Sequence, residues 1–395
     1  MFYCGIDIAK YKHEASVIDQ SGNALLDSIS FSNTKDGCEK VTALFKRLGI
    51  ACENVLIGME ATGHYWLSVH AFFLEQGYQV KVINPIQSEA FRKMYIRQTK
   101  NDSKDSFIIA QIMRFGQFSA TKLSEENIVA LRQLSRYRLA LVDSCGDCKR
   151  RVIALLDQVF PEYDTLFSDT FGVTSKKILL KYPTPEDMLA VSTRKLTALL
   201  VKASRGKLGE EKAKELKTVS AGSFGIGFAR NAFAFQIRQL LEQINFLEKQ
   251  ISDLEEEISL LLKQIDSYIT TIPGIGETLG AIILSEIGDI SRFDAPGKLV
   301  AFAGLDVKVT QSGEFTGTKQ KISKRGSPYL RRAIWLAASC AAFCDPILSA
   351  YYQGLRVRGK HHLTAVGAVA RKLCNIIFTI LRENRPYEPL PPKGR

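Results

Sequence analysis

Phe2-Tyr-Cys-Gly-Ile-Asp-Ile8 alternates apolar with small or polar residues and carries one aspartate in an otherwise apolar run. That alternation predicts a β-strand with a buried face. Residues 13–19 follow as a second strand, and the turn Gln20-Ser-Gly-Asn23 leads to a third at 24–31. Val55-Leu-Ile-Gly-Met59 is a short apolar run of the buried-strand kind. A helical stretch through Trp66, Val69, Phe73 and Leu74 then stops at Gly77, and residues 79–83 form a further strand closed by Asn84-Pro85. A meander followed by β-α-β units predicts an α/β domain, a mixed sheet flanked by helices. Another helix opens near Ser103, with Ile108, Ile109, Ile112 and Met113 on one side, and ends at Gly116.

Four carboxylates fall at the ends of these elements. Asp7 sits in an apolar strand, where a charge is costly unless it is paired or bound to metal. Glu60 directly follows the strand at 55–59. Asp102 and Asp105, in Lys100-Asn-Asp-Ser-Lys-Asp105, are three apart at a helix start and can project from one face. Hard oxygen donors of this kind suit Mg²⁺ or Mn²⁺, and two such ions can activate a nucleophile and stabilise a leaving oxygen. For Asp102 and Asp105 alone, helix capping is the better account. Asp7 and Glu60 in the same domain favour the metal.

From about Ser124 the pattern becomes helical. Leu131, Leu134, Leu141, Val152, Leu155 and Leu156 form a stripe interleaved with Arg132, Arg136, Arg138, Lys149, Arg150 and Arg151. This reads as a basic face for nucleic-acid backbone rather than a merely solvated one. Ile237, Leu240, Ile244, Leu247, Ile251, Leu254, Ile258, Leu261 and Ile265 then occupy successive a and d positions. The pattern predicts a two-stranded coiled coil and a dimer, although one long helix packed on its own domain gives a similar stripe. Ile272-Pro-Gly-Ile-Gly276 looks like a helix–hairpin–helix turn, with Gly274 and Gly276 opening backbone N–H groups to a phosphate. An ordinary turn between helices uses the same residues.

Ser312 lies in a polar loop, Thr310-Gln-Ser-Gly-Glu-Phe-Thr-Gly317. A cationic run follows: Lys319, Lys321, Lys324, Arg325, Arg331 and Arg332. A Ser-Gly pair in a loop is ordinarily a turn. Beside so many cations the serine could instead attack a phosphodiester, the cations stabilising the pentavalent charge.

Lys and Arg outnumber Asp and Glu by 53 to 41, a net charge of +12 that points to a polyanionic partner. The chain opens without a signal-peptide pattern, and its most apolar later stretch, 333–344, is too short for a bilayer. A cytoplasmic protein without a membrane partner is expected. Cys145 and Cys148, and Cys340 and Cys344, sit in helical patterns where burial in a reducing compartment is expected over zinc or redox chemistry.

Gly5-Ile-Asp7, Glu60-Ala-Thr-Gly-His64, Lys100-Asn-Asp-Ser-Lys-Asp105, Pro273-Gly-Ile-Gly276, Phe302-Ala-Gly-Leu305, Ser312-Gly313 and Ile322-Ser-Lys-Arg-Gly326 occur in this order. In these blocks the chain resembles the DEDD transposases of the one-ten family of bacterial insertion sequences, from about Met1 to Arg385. The resemblance implies a RuvC-like (RNase H-like) domain at 1–120, in which Asp7, Glu60, Asp102 and Asp105 hold the metal. It implies a helical region at 121–268 with a coiled coil near 230–266. A mainly α transposase domain at 269–385 would carry Ser312 as nucleophile, before a flexible Pro-rich tail at 386–395. It further implies a transient phosphoserine link to DNA and subunits that pair a DEDD site with a serine, as a dimer or a tetramer on DNA. Donor and target double-stranded DNA and a structured guide RNA are the implied partners. The same carboxylates would also serve a Holliday-junction endonuclease using water, and the helical motifs a non-catalytic nucleic-acid scaffold. The segment 165–228 matches no pattern.

Overall fold

The computed structural model describes residues 1–61, 63–83, 88–89, 91, 102–116, 126–307, 311–312, 315–316 and 322–389, with the side chains of 102, 103, 311, 312, 315 and 316 excepted. The alternation at Phe2 becomes β1 (Phe2–Asp7), followed by β2 (Lys12–Ile18) and β3 (Ala24–Ser32). After α1 (Lys35–Arg47) come β4 (Val55–Glu60), α2 (Trp66–Glu75) and β5 (Gln79–Ile83). The sheet order is β3-β2-β1-β4-β5. The first three strands are antiparallel, and β1–β4 and β4–β5 are parallel. This is the expected mixed sheet.

Strand alternation assigns the two faces. Cys4, Ile6, Ala15, Val17, Ile57 and Met59 enter a core with Val41, Phe45, Val69 and Phe73 from α1 and α2. Tyr3 and Leu56 point the other way, into a smaller cluster with Ile108, Ile109, Ile112 and Met113 of α3 (Asp102–Phe115). The helix α1 was not anticipated. Its cap is Thr34, whose hydroxyl accepts the Gly37 N–H, and its buried face is Cys38, Val41, Leu44 and Phe45.

The chain divides into two compact units, residues 1–123 and 124–395. The second begins with α4 (Glu126–Val159), then α5 (Val173–Lys181), α6 (Pro185–Ala190), α7 (Thr193–Ser204), α8 (Glu210–Ala221) and α9 (Arg230–Lys263). α4 and α9 run antiparallel, since Arg138 meets Glu255 and Lys149 meets Glu248. Ile237, Ile244 and Leu247 of the heptad seam are buried beside Val152, Leu156, Ile178, Leu196 and Leu216. Ile258 is buried in the following core, and Leu240, Ile251, Leu254, Leu261 and Ile265 pack partly against these two clusters. The seam is therefore covered within the chain. α9 leaves Phe235, Phe246 and Leu260 exposed.

The second core is built by α10 (Glu277–Ile287), α11 (Pro296–Phe302), α12 (Pro328–Cys344), α13 (Pro346–Val357) and α14 (His362–Glu383). Among the described residues α14 is long and apolar enough to cross a membrane, as are α12 and α13 only if taken together across their 92° bend, and Val366, Val369, Leu373 and Ile377 bury one side of α14 in this core.

Three expectations are corrected. Five of the six α4 cations have partners within the chain: Arg132 donates to the Ser285 carbonyl, Arg136 pairs with Glu286, Arg138 with Glu255, Lys149 with Glu248 and Arg150 with Asp147, while Arg151 is exposed. A stripe of cations at helical spacing cannot by itself say which side meets acids of the same chain. Cys340 and Cys344 are exposed, not buried, because the packed face of α12 is Ala333, Ala337, Ala338 and Ala341. The tail is not free at its start. The Tyr387 N–H donates to Thr271 Oγ1 (2.9 Å), and its hydroxyl donates to the buried Asp345 carboxylate (2.7 Å). Residues 390–395 lie outside the described residues. Gly274 (φ +86°) is required by packing: a Cβ there would lie 2.7 Å from the Ala337 carbonyl of α12. The turn follows a 3-10 segment, Ile269–Thr271, rather than an α-helix.

Candidate active site

Gly5 and Gly58 are paired neighbours on the parallel strands β1 and β4. Each precedes an acid by two residues, so Asp7 and Glu60 lie on the same sheet face as the glycines, the face covered by α3. The approach of that helix explains the glycines. A Cβ on Gly5 would lie 2.0 Å from the Ser106 carbonyl oxygen and 2.3 Å from the Ala110 nitrogen; one on Gly58 would lie 2.4 Å from Met113 Cγ. Ser106 Oγ also meets Ser16 Oγ at 2.7 Å, tying α3 to β2. α3 is thus seated by direct backbone contact at the residue that follows Asp105.

Asp105 is 8% exposed. Glu60 Oε2 accepts a hydrogen bond from Ser88 Oγ (2.7 Å). Asp102 occupies the first turn of α3, one turn before Asp105, and its side chain lies outside the described residues. Across the antiparallel pair, Asp7 faces Glu14 of β2, whose carboxylate accepts from Ser28. Glu14 was missed by sequence reasoning, although period-2 counting from Ser16 puts it on the α3 face. Three acids therefore stand on adjacent strands: Glu14, Asp7 and Glu60. Like charges placed directly opposite repel, and a cation is one way to offset them. Among the described side chains, no three acid, imidazole or thiol groups lie close enough to hold an ion. The donors present are hard oxygens, which fit Mg²⁺ or Mn²⁺ in kind.

In the second unit, Ser312 is placed on a two-stranded hairpin, β6 (Gln311–Ser312) with β7 (Phe315–Thr316), where it pairs with Phe315. Lys319 and Lys321 lie outside the described residues. The stem below the loop is closed by the Val307–Ile322 bridge. Backbone bonds continue it, from Ser323 N–H to Asp306 O (2.8 Å), Lys324 N–H to Gly304 O (3.1 Å) and Ser327 N–H to Phe302 O (3.0 Å). Gly304 (φ +66°) allows the two stem segments to touch, since a Cβ there would sit 2.2 Å from the Arg325 carbonyl. Lys324 and Arg325 are exposed.

A charged network underlies this stem. The Glu286 side chain, 3% exposed, receives Arg136 Nε at 2.6 Å and Nη2 at 3.0 Å. It also accepts from Ser327 Oγ (2.7 Å), the hydroxyl that caps α12 through the Leu330 N–H. The carboxylate holds the Arg136 guanidinium above its ordinary range, and that guanidinium lies 4.6 Å from the Tyr329 ring centroid. Arg331 donates to the Ala303 carbonyl (3.4 Å). Arg332 forms a bidentate pair with Asp143 of α4, both bonds 2.8 Å, which lowers the Asp143 carboxyl and raises the guanidinium. Glu286 was also missed. It is an acid in an otherwise apolar helix, the same signal that singled out Asp7. Gly276 starts α10 with open space around it, but Glu277 puts an acid in the first turn.

The chain thus holds an α/β unit with acids at its strand ends, followed by a helical unit with a serine on a short hairpin. Residues 4–161 match the IS110-type DEDD family model described as transposase, and residues 266–353 match transposases of the IS116/IS110/IS902 family. The chain belongs to the IS110 family of transposases, a family that implies cutting and rejoining of DNA. It is similar to the IS110 uncharacterized 43.6 kDa protein of Streptomyces coelicolor, 23% identical over 99% of this chain and 96% of the relative. It is likewise similar to the pilin gene-inverting protein of Moraxella lacunata (24% identical, 98% of this chain and 97% of the relative). The mini-circle putative transposase for IS117 of Streptomyces coelicolor is 26% identical over 98% and 97%.

Proposed function

We propose that this chain is an RNA-guided DNA recombinase that uses one acid cluster and one serine to exchange strands between donor and target duplexes. The observation that carries the reading is the in-register pair Gly5-x-Asp7 and Gly58-x-Glu60 beneath the helix bearing Asp102 and Asp105. These four carboxylates would hold Mg²⁺ or Mn²⁺ in a RuvC-like domain. The ion supplies positive charge to offset the charge that builds up on the phosphate in transfer.

Ser312 Oγ attacks the scissile phosphorus, a serine–phosphate bond forms, and the bond to one bridging DNA oxygen breaks. The departing DNA oxygen takes up the serine's proton. Attack on the phosphoserine by the strand-end hydroxyl of the other duplex then forms a new phosphodiester, and the serine leaves with a proton, which completes the exchange. Because one ester replaces another, no high-energy cofactor is needed. Lys319, Lys321, Lys324, Arg325, Arg331 and Arg332 would hold backbone phosphates around the loop, since guanidinium and ammonium groups neutralise them. Gly274 and Gly276 would add backbone donors. A structured guide RNA, implied by the family resemblance, would supply sequence choice, and the net charge of +12 suits two nucleic-acid partners. The name of the Moraxella relative, a pilin gene-inverting protein, is in keeping with strand exchange. The working form would be a homo-oligomer in the bacterial cytoplasm. It would dimerise through the 230–266 helix, where Phe235, Phe246 and Leu260 are exposed, and pair into tetramers on DNA.

Purified protein, element RNA and labelled donor and target duplexes in Mg²⁺ should give joined products. Asp105→Asn and Ser312→Ala should each lower product at least 100-fold. Full product from Asp105→Asn would refute the metal assignment; cut ends from Ser312→Ala without joining would favour a water-using endonuclease.

A further inference from the structure

Beside the serine hairpin's stem lies a pocket of about 340 Å³, lined by Ile322, Pro328, Arg331, Arg332, Trp335 and Leu336. Ile322 is one half of the bridge that closes the loop bearing Ser312, and the other residues come from the first turns of α12. The volume is at the lower end of the range for small-ligand sites, about 300–1,000 Å³. It has room for one nucleotide and not for a base pair in a duplex.

The lining combines two chemistries. Trp335 is half-buried, and its ring rests against α14 at Gly367, where a Cβ would lie 3.4 Å from Cζ3. Leu336 beside it is 48% exposed. An indole and a leucine left partly open to water make an apolar floor. Around that floor stand two guanidiniums already fixed in place, Arg332 by Asp143 and Arg331 by the Ala303 carbonyl. Each guanidinium has five N–H donors, so these bonds leave others free. Lys324 and Arg325 extend the positive charge along the stem. Asp143 is the acid that faces Arg332.

A flat apolar surface edged by guanidiniums matches a base with its flanking phosphates. Bases stack on aromatic rings without regard to sequence, and a base can be reached in this way only when it has left the duplex stack. We propose that this pocket takes one unpaired nucleobase of the DNA strand that Ser312 attacks, stacked on Trp335, with Arg331 and Arg332 holding the adjoining phosphates. The inference rests on the DNA-recombinase reading, in which guide pairing leaves strands locally single. The bound base would fix the register of the scissile phosphate relative to the serine.

The chain has two tryptophans, so Trp66→Phe leaves Trp335 as sole reporter. This full-length variant is titrated with a labelled thymidine oligonucleotide and with an abasic oligomer of the same length, reading label anisotropy and tryptophan emission. Both oligomers should bind, and only the base-bearing one should quench Trp335. Trp335→Ala should weaken the thymidine oligomer about ten-fold and leave the abasic oligomer unchanged, while Trp335→Phe should keep most of the affinity. Binding of both oligomers with unchanged emission would overturn the pocket alone. Binding of neither would overturn the DNA-acting reading beneath it. Quenching by a uridine RNA oligomer but not by DNA would overturn the assignment to the DNA strand.

Discussion

Backbone packing positions the carboxylates of the first unit, whereas ionic side chains brace the serine hairpin of the second. Under Asp7 and Glu60, two facing glycines let α3 settle onto the sheet until main chain meets main chain. Beneath Ser312 the stem is closed by one bridge and a few backbone bonds, and its floor is tied by Glu286 to Arg136 and Ser327. The difference is one of tolerance. An added atom between packed backbones must displace a helix; a lost guanidinium in a partly hydrated network can be replaced by water.

The largest effect should come from Gly5→Ala. A methyl 2.0 Å from the Ser106 carbonyl forces α3 off the sheet, and overpacking of this kind costs about 1–3 kcal/mol or more. Gly58→Ala should cost less, because Met113 is flexible and can move aside. Denaturant unfolding followed through Trp66 in a Trp335→Phe background would rank the two, and equal stability would break the account of the glycine bed. Next, Arg136→Met should destabilise the helical unit by about 2 kcal/mol, typical of a hydrogen bond to a charged group. The loss stays below that for a fully buried pair because Arg136 is 42% exposed. Unfolding read at Trp335 would show it.

Acid should separate the two units with a smaller effect. Burial lowers His13 and His70 below 6.5 in the first unit. The unfolded chain takes up protons first, so their contribution is present above pH 6.5 and is lost as pH falls from there towards the folded values. In the second unit Arg332 lowers the Asp143 carboxyl below 3.8, so that contribution persists until far more acid pH. Between pH 7 and 5 the Trp66 transition should shift to lower denaturant and the Trp335 transition should not. Parallel shifts would remove the contrast.

Much of this was legible from residues alone. The five strands of the first unit's sheet follow from alternation, a short apolar run and turn residues, and Asp7 stands out because an acid in an apolar strand needs a reason. The same argument applied to α10 would have found Glu286, which lies among Ala281, Ile282, Ile283 and Ile287. α1 has a capped start at Thr34 and a helical spacing of Cys38, Val41 and Phe45 that was readable but unread. The fate of Arg136, Arg138 and Lys149 on α4 was not legible. Their partners Glu248, Glu255 and Glu286 are 99 to 150 residues away in sequence, and no local pattern pairs residues at that range. The heptad seam was likewise ambiguous, because α4 can cover it as well as a second chain can.

Carboxylates and serine are proposed to serve one reaction. The most direct test is to trap protein–DNA adduct in Mg²⁺, digest it, and locate the phosphoester by mass spectrometry. The predicted result is a single modified peptide with the phosphate on Ser312, absent from Ser312→Ala and at least 100-fold reduced in Asp105→Asn. A phosphoester on another residue, or undiminished adduct in either variant, would contradict it.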